Sequence, residues 1–129
     1  MQVLLVEDQP KDLRIAESVA TSAGFTSVEA RSSAMAAKVL LETGLEGKIP
    51  LPDAIVLDLD LGYESGFELM RFWHSDPRLT KIPLVVWTVL GDEQREICRL
   101  FKVSAFISKS EDVSLLRKAL QGFAQAAAS

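Results

Sequence analysis

Apolar runs of four or five residues, each stopped by a polar or charged one, alternate along this chain with stretches of helical periodicity. Residues 3–6 read Val-Leu-Leu-Val and stop at Glu7 and Asp8, which predicts a first strand buried on both faces. Pro10 stands where a first helical turn tolerates proline, with Asp8 or Gln9 as the cap. Leu13, Ala16, Val19 and Ala20 follow at helical spacing, and Gly24 supplies the stop. Residues 25–30 alternate more weakly and predict a second strand at a sheet edge. Ser32 or Ser33 caps a second helix whose inner face is marked by Ala36, Val39 and Leu40. Residues 43–52, with two glycines and two prolines, read as a loop.

The third run, Ala-Ile-Val-Leu at 54–57, ends abruptly at Asp58. An ionised carboxylate is too costly to bury unpaired within such a strand, so Asp58 is expected at its exit. A polar, glycine-containing turn at 62–66 leads to a helix over 67–74, with Phe67, Met70 and Trp73 spaced by three, closed by Ser75-Asp76-Pro77. Pro83 introduces a fourth strand at 84–88, and Gly91-Asp92 opens a helix with Ile97, Leu100 and Phe101 on one side. A short fifth strand at 105–107 ends at Ser108 and Lys109. The last helix repeats Val113, Leu116, Leu120 and Phe123 at spacings of three and four. The Ala-rich end is expected to fray, giving a domain over 1–124 and a tail over 125–129. Trp73 and Trp87 are expected to be packing residues, His74 a surface residue, and Cys98 a partly buried, unreactive thiol.

Five strands alternating with five helices predict an α/β domain with a doubly wound, five-stranded parallel sheet and helices on both faces. In such sheets ligands bind outside the carboxyl ends of the strands, where strand order reverses. Glu7 and Asp8 end the first strand, Asp58 the third, Thr88 the fourth and Lys109 the fifth, so all five converge on one edge.

Three clustered carboxylates repel one another unless a cation neutralises them. Hard oxygen donors favour Mg²⁺ or Mn²⁺, and the single histidine and single cysteine offer no set for a softer metal. Lys109 adds an ammonium that can pair with Asp58 or with a phosphoryl group, and Thr88 adds a hydroxyl donor. These are the parts that stabilise phosphoryl transfer to an aspartate.

The totals narrow the choices further. A chain of 129 residues is the size of one domain and can bury a proper core. Its net charge of −4 argues against a broad grip on nucleic acid. The longest apolar run, 82–90, is about half the length of a membrane helix, and the N-terminus meets Glu7 and Asp8 too soon for a signal peptide. The lone cysteine suits a reducing compartment, so the expectation is a cytoplasmic protein with no membrane contact.

The motifs Val6-Glu7-Asp8, Leu57-Asp58-Leu59 with Gly66 eight residues beyond Asp58, Val86-Trp87-Thr88 and Phe106-Ile107-Ser108-Lys109 resemble the receiver domain of bacterial two-component response regulators. The resemblance runs along essentially the whole chain, and the four motifs in this order are strongly specific. It implies the flavodoxin-like strand order 2-1-3-4-5. It implies Asp58 as acceptor of phosphate from a histidine kinase or phosphotransfer protein. Mg²⁺ would be held by Glu7, Asp8, Asp58 and the backbone carbonyl of Asp60, and the phosphoryl oxygens by Thr88 and Lys109. Phe106 falls at the family's aromatic switch position. A downstream protein would dock on the face between Gly91 and Phe123, residues 91–123. With no residues left for an output domain, the expected form is a stand-alone, non-enzymatic phosphoacceptor.

The chain also departs from the family pattern. Gly62 replaces a usual proline, which predicts a looser loop after Asp58. Val89 stands where a small residue is usual and is expected to slow hydrolysis. The Asp60 side chain adds negative charge near the acceptor. Ser110 replaces the proline of a usual Lys-Pro pair, and a trans Lys109–Ser110 bond is expected because cis costs roughly 2.5–4 kcal/mol before a residue other than proline. These departures leave open a degenerate receiver that binds partners without phosphorylation. Asp58-Leu59-Asp60 also resembles the Asp-x-Asp motif of haloacid-dehalogenase-type phosphatases, but no later strand carries their further acidic pair and Glu7-Asp8 would be unexplained.

Overall fold

A computed structural model of the chain describes residues 1–128. Its elements are β1 (Gln2–Val6), α1 (Pro10–Ser22), β2 (Ser27–Arg31), α2 (Ala34–Leu45), β3 (Ala54–Leu57), β4 (Asp60–Leu61) and β5 (Glu64–Ser65). There follow α3 (Phe67–Ser75), α4 (Pro77–Thr80), β6 (Leu84–Thr88), α5 (Asp92–Leu100), β7 (Ala105–Ser108) and α6 (Ser114–Ala128). Five strands form one parallel sheet in the order β2-β1-β3-β6-β7. With the short β4–β5 pair set aside, this is the order 2-1-3-4-5. Both edges of β1, β3 and β6 are paired, which suits their continuous apolar runs.

Because successive strand side chains point to opposite faces, each apolar run supplies two cores. Leu4, Val6, Ile55, Leu57, Leu84 and Val86 face α2, α3 and α5, where they meet Leu41, Met70, Trp73 and Cys98. Val3, Leu5, Ala54, Val56, Val85 and Trp87 face α1 and α6, where they meet Val19, Phe25, Leu116 and Leu120. Trp73 packs as expected, and its indole N–H donates to the Ile82 carbonyl at 2.9 Å. β2 is at one edge of the sheet, as expected, and starts at Ser27 because Phe25 turns into the core beside Gly24, whose φ is +111°.

Two helices present faces other than those their spacing suggested. In α2 the buried residues are Ala34, Ala37, Leu40 and Leu41, while Val39 is 53% exposed. Ser33 caps this helix, accepting from the Ala36 N–H, and the helix runs past Thr43 to Leu45. In α5 the inward point is Cys98, fully buried, with Ile97 and Leu100 exposed at 40% and 77%. A short, mostly charged helix that touches the core through one small residue carries too little apolar signal to fix its rotation. Burial pushes the Cys98 thiol up to about 11, which leaves it protonated and unreactive at neutral pH. The Ala-rich segment expected to fray is helical through Ala128, and Ser129 lies outside the described residues. Among the described residues no helix is long and apolar enough to cross a membrane.

Candidate functional site

Glu7, Asp58, Thr88 and Lys109 sit at or one step beyond a strand end, with Asp8 one residue further, and the neighbouring strand holds the backbone of three of them. The Glu7 N–H donates to Arg31, the Asp58 N–H to Val6 and the Lys109 N–H to Thr88, at 3.0, 3.0 and 2.8 Å. Thr88 is the last residue of β6, opposite Ser108. The ladder thus delivers Glu7, Asp8, Asp58, Thr88 and Lys109 to one edge of the sheet. Glu7, Asp58 and Thr88 are buried polar residues, at 4%, 3% and 0% exposure.

Glu7, Asp8 and Asp58 each offer a carboxylate oxygen within 4.8 Å of the others. Lys109 reaches into this group: its Nζ lies 2.7 Å from Glu7 Oε1, 2.8 Å from Asp58 Oδ2 and 2.8 Å from Asp12 Oδ2. The ammonium also stands 5.0 Å from the centre of the Trp87 ring. Asp58 Oδ1 accepts from the Asp60 N–H at 3.0 Å. The Thr88 hydroxyl accepts from the Leu90 N–H at 3.4 Å, which leaves its own proton free to donate elsewhere.

Electrostatics follow from this crowding. Burial, then the charge of Asp58, raises the Glu7 carboxyl to about 7, against the pull of Lys109. Burial works against the Lys109 charge, yet its hydrogen bonds to Asp12 and Asp58 and its ion pair with Glu7 outweigh that and hold the ammonium above the usual lysine range. Four carboxylates face one ammonium, a surplus of three negative charges when all are ionised. Asp8 Oδ1 is buried with no hydrogen-bond donor, and Glu7 Oε1 meets Lys109 at ion-pair distance but off hydrogen-bond alignment. Hard oxygens, surplus negative charge and an orphaned buried acceptor fit a divalent cation such as Mg²⁺ or Mn²⁺.

The loop after Asp58 forms a hairpin that uses its glycine. Asp60–Leu61 and Glu64–Ser65 pair as a small hairpin around Gly62 and Tyr63. Gly62 has φ +73°, a conformation that proline cannot take and that a two-residue hairpin turn requires. A Cβ there would stand 3.3 Å from Asp8 Oδ2. Glu64 moors the hairpin by accepting from the Ala34 N–H at the start of α2. Gly66 ends it, and a Cβ at that position would lie 2.5 Å from the Asp58 carbonyl oxygen. The Asp60 side chain is exposed, and Val89 is 64% exposed, so its bulk lies mostly in solvent. No peptide bond is cis among the described residues, so Lys109–Ser110 is trans as expected.

Over residues 3–121 the chain matches the family described as the response regulator receiver domain. It belongs to that family. One relative is Response regulator Rcp1 from Synechocystis sp., 30% identical over 123 residues that span 93% of this chain and 84% of Rcp1. The Mn(2+)-bound form of Rcp1 superposes with a TM-score of 0.76 at 30% identity, covering 94% of this chain and 89% of that one. The phosphorylated cyanobacterial phytochrome response regulator RcpA gives the same TM-score, identity and coverage. Family membership removes the dehalogenase-type phosphatase reading, for which Glu7 and Asp8 had no use.

Two further placements bear on the receiver's site. Phe106, which the family resemblance led us to expect at a switch position, is half-buried, with the Arg95 guanidinium 4.6 Å from its ring centre and donating to its carbonyl at 3.4 Å. Asp12 was not anticipated from the sequence. The signal available was its place in the first turn of α1, the helix that opens directly after the Glu7-Asp8 pair.

Proposed function

We propose that this chain acts as a cytoplasmic response regulator whose receiver domain accepts a phosphoryl group on Asp58 from a histidine kinase or phosphotransfer protein. The observation that carries this reading is the buried Asp58 carboxylate, which is bonded by the Lys109 ammonium on one oxygen and by the Asp60 N–H on the other. In the transfer, an Asp58 oxygen forms a bond to phosphorus as the N–P bond of the donor phosphohistidine breaks. The electron pair returns to the ring nitrogen, which takes up a proton. Charge gathers on the phosphoryl oxygens, and Lys109 and Thr88 are the donors fixed in place to meet it. Mg²⁺ or Mn²⁺, held by Glu7, Asp8, Asp58 and the Asp60 backbone carbonyl, supplies further charge neutralisation when bound. The manganese-bound and phosphorylated relatives support both parts of this reading.

Phosphoryl contacts to Thr88 and Lys109 would bias a two-state equilibrium in which Phe106 is the moving residue. The readout would be a protein partner docking between Gly91 and Phe123, where Ile97 and Leu100 are exposed apolar side chains. The test is incubation with acetyl phosphate and Mg²⁺, followed by intact-mass measurement and mapping of the modified residue. One added phosphoryl group on Asp58, absent in Asp58→Asn and in EDTA, is expected. No mass gain with either acetyl phosphate or a phosphohistidine donor would instead make the chain a phosphorylation-independent interaction module.

A further inference from the structure

We infer that Asp12 is a positioning residue that holds the Lys109 ammonium at the acceptor site. This rests on the reading of Asp58 as the phosphoacceptor. Lys109 touches three carboxylates, and two of them, Glu7 and Asp58, belong to the group whose oxygens could hold a cation. Asp58 also gives up carboxylate character once it carries a phosphoryl group. Asp12 lies outside that group, so among the described residues it is the one carboxylate partner of Lys109 that neither metal nor phosphate engages.

Its placement suits a fixed anchor. Asp12 sits in the first turn of α1, where the helix N-terminus favours a carboxylate, and its side chain is 28% exposed. Lys109 lies 97 residues away in the connection between β7 and α6, with its side chain 8% exposed. The 2.8 Å bond between them pins a long, rotatable side chain from the helix side. A lysine ammonium carries three donors, so one can stay on Asp12 while another turns to a phosphoryl oxygen. Without Asp12 the ammonium keeps only partners whose oxygens are drawn elsewhere during the reaction, and its position is no longer fixed.

The experiment compares wild type, Asp12→Ala, Asp12→Asn, Lys109→Ala and the Asp12→Ala/Lys109→Ala double variant. Acetyl phosphate with Mg²⁺ gives the acceptance rate by intact mass. Tryptophan emission in EDTA reports the ammonium beside Trp87 against a constant background from Trp73, which lies in the opposite core. Asp12→Ala is expected to slow acceptance by about tenfold or more, the scale on which misplacing a reacting group shows. Asp12→Asn, which keeps the shape and an oxygen acceptor, should recover part of the rate. The double variant should be no slower than Lys109→Ala, and its emission should match that of Lys109→Ala. Magnesium affinity, titrated through protein stability, should stay within about threefold of wild type in Asp12→Ala.

Wild-type acceptance rates in both Asp12 variants, faster acceptance, or a defect that adds fully to that of Lys109→Ala would overturn the assignment. So would a loss of magnesium affinity matching the loss of rate, since Asp12 would then act through the metal. A wild-type chain that takes no phosphoryl group on Asp58 overturns the underlying reading itself. Normal wild-type acceptance with unaffected Asp12 variants overturns the role of Asp12 alone.

Discussion

Asp8 is the carboxylate of the site that pays for the arrangement without an ion pair of its own, and replacing it tests the electrostatic account directly. Its oxygen lies within 4.8 Å of those of Glu7 and Asp58. Two unit charges at that separation repel by about 3.5 kcal/mol at an effective dielectric of 20, and by about 0.9 kcal/mol in bulk water. Asp8 is half-buried, so each repulsion falls between these limits. Asp8→Asn keeps the shape, removes both repulsions and forfeits a weaker attraction to Lys109. In EDTA at mildly alkaline pH the variant should therefore be more stable than wild type by roughly 1–3 kcal/mol, a rise in Tm of several degrees for a domain of this size. In millimolar MgCl₂ the gap should close or reverse, because only wild type keeps the full oxygen set. A ligand at a hundred times its Kd stabilises by about 2.7 kcal/mol. Thermal or urea unfolding with and without Mg²⁺ measures both effects. A destabilised variant in EDTA, or an equal gain from Mg²⁺ in the two proteins, would refute the reasoning.

Three further expectations follow from other contacts. Glu7 is raised to about 7 in the fold, so the folded chain binds more protons than the unfolded one between its ordinary value and 7. In metal-free buffer this contribution is full below about pH 4.5 and is lost as pH rises through 7, on the order of 1–3 kcal/mol. Denaturant melts of wild type should carry that slope, and Glu7→Gln should flatten it. Gly66→Ala should lower stability by about 1–3 kcal/mol, since the added methyl meets backbone at Asp58 rather than a side chain that can move aside, and a thermal melt will read it. Ser33→Ala should cost about 1 kcal/mol in urea unfolding through the lost cap on α2.

The strand ends were legible because a fully apolar run that stops at a carboxylate leaves little choice of register or direction. Apolar runs ending at polar residues put Glu7, Asp58, Thr88 and Lys109 at one edge of the sheet, where the structure has them. Helix rotation was less legible. The spacing of Ile97, Leu100 and Phe101 outweighed Cys98, yet the small buried residue sets the face of α5, and Val39 misled in the same way on α2. The β4–β5 hairpin escaped because two-residue strands have no measurable period, and Gly62 signalled freedom when the turn used it for a defined positive φ. Asp12 was not legible because it comes from the first turn of a helix, where a carboxylate is common for the helix's own sake.

The delivery of each site residue by a different strand has a consequence for how the protein comes into being. Residues 7, 58, 88 and 109 meet only when β1, β3, β6 and β7 are all in register, so no fragment or half-formed sheet contains the full set of carboxylate–lysine contacts. Such distant pairings are assembled late and slowly in a parallel sheet. A nascent or damaged chain is thereby silent: competence to take part in signalling is itself a certificate that folding has finished.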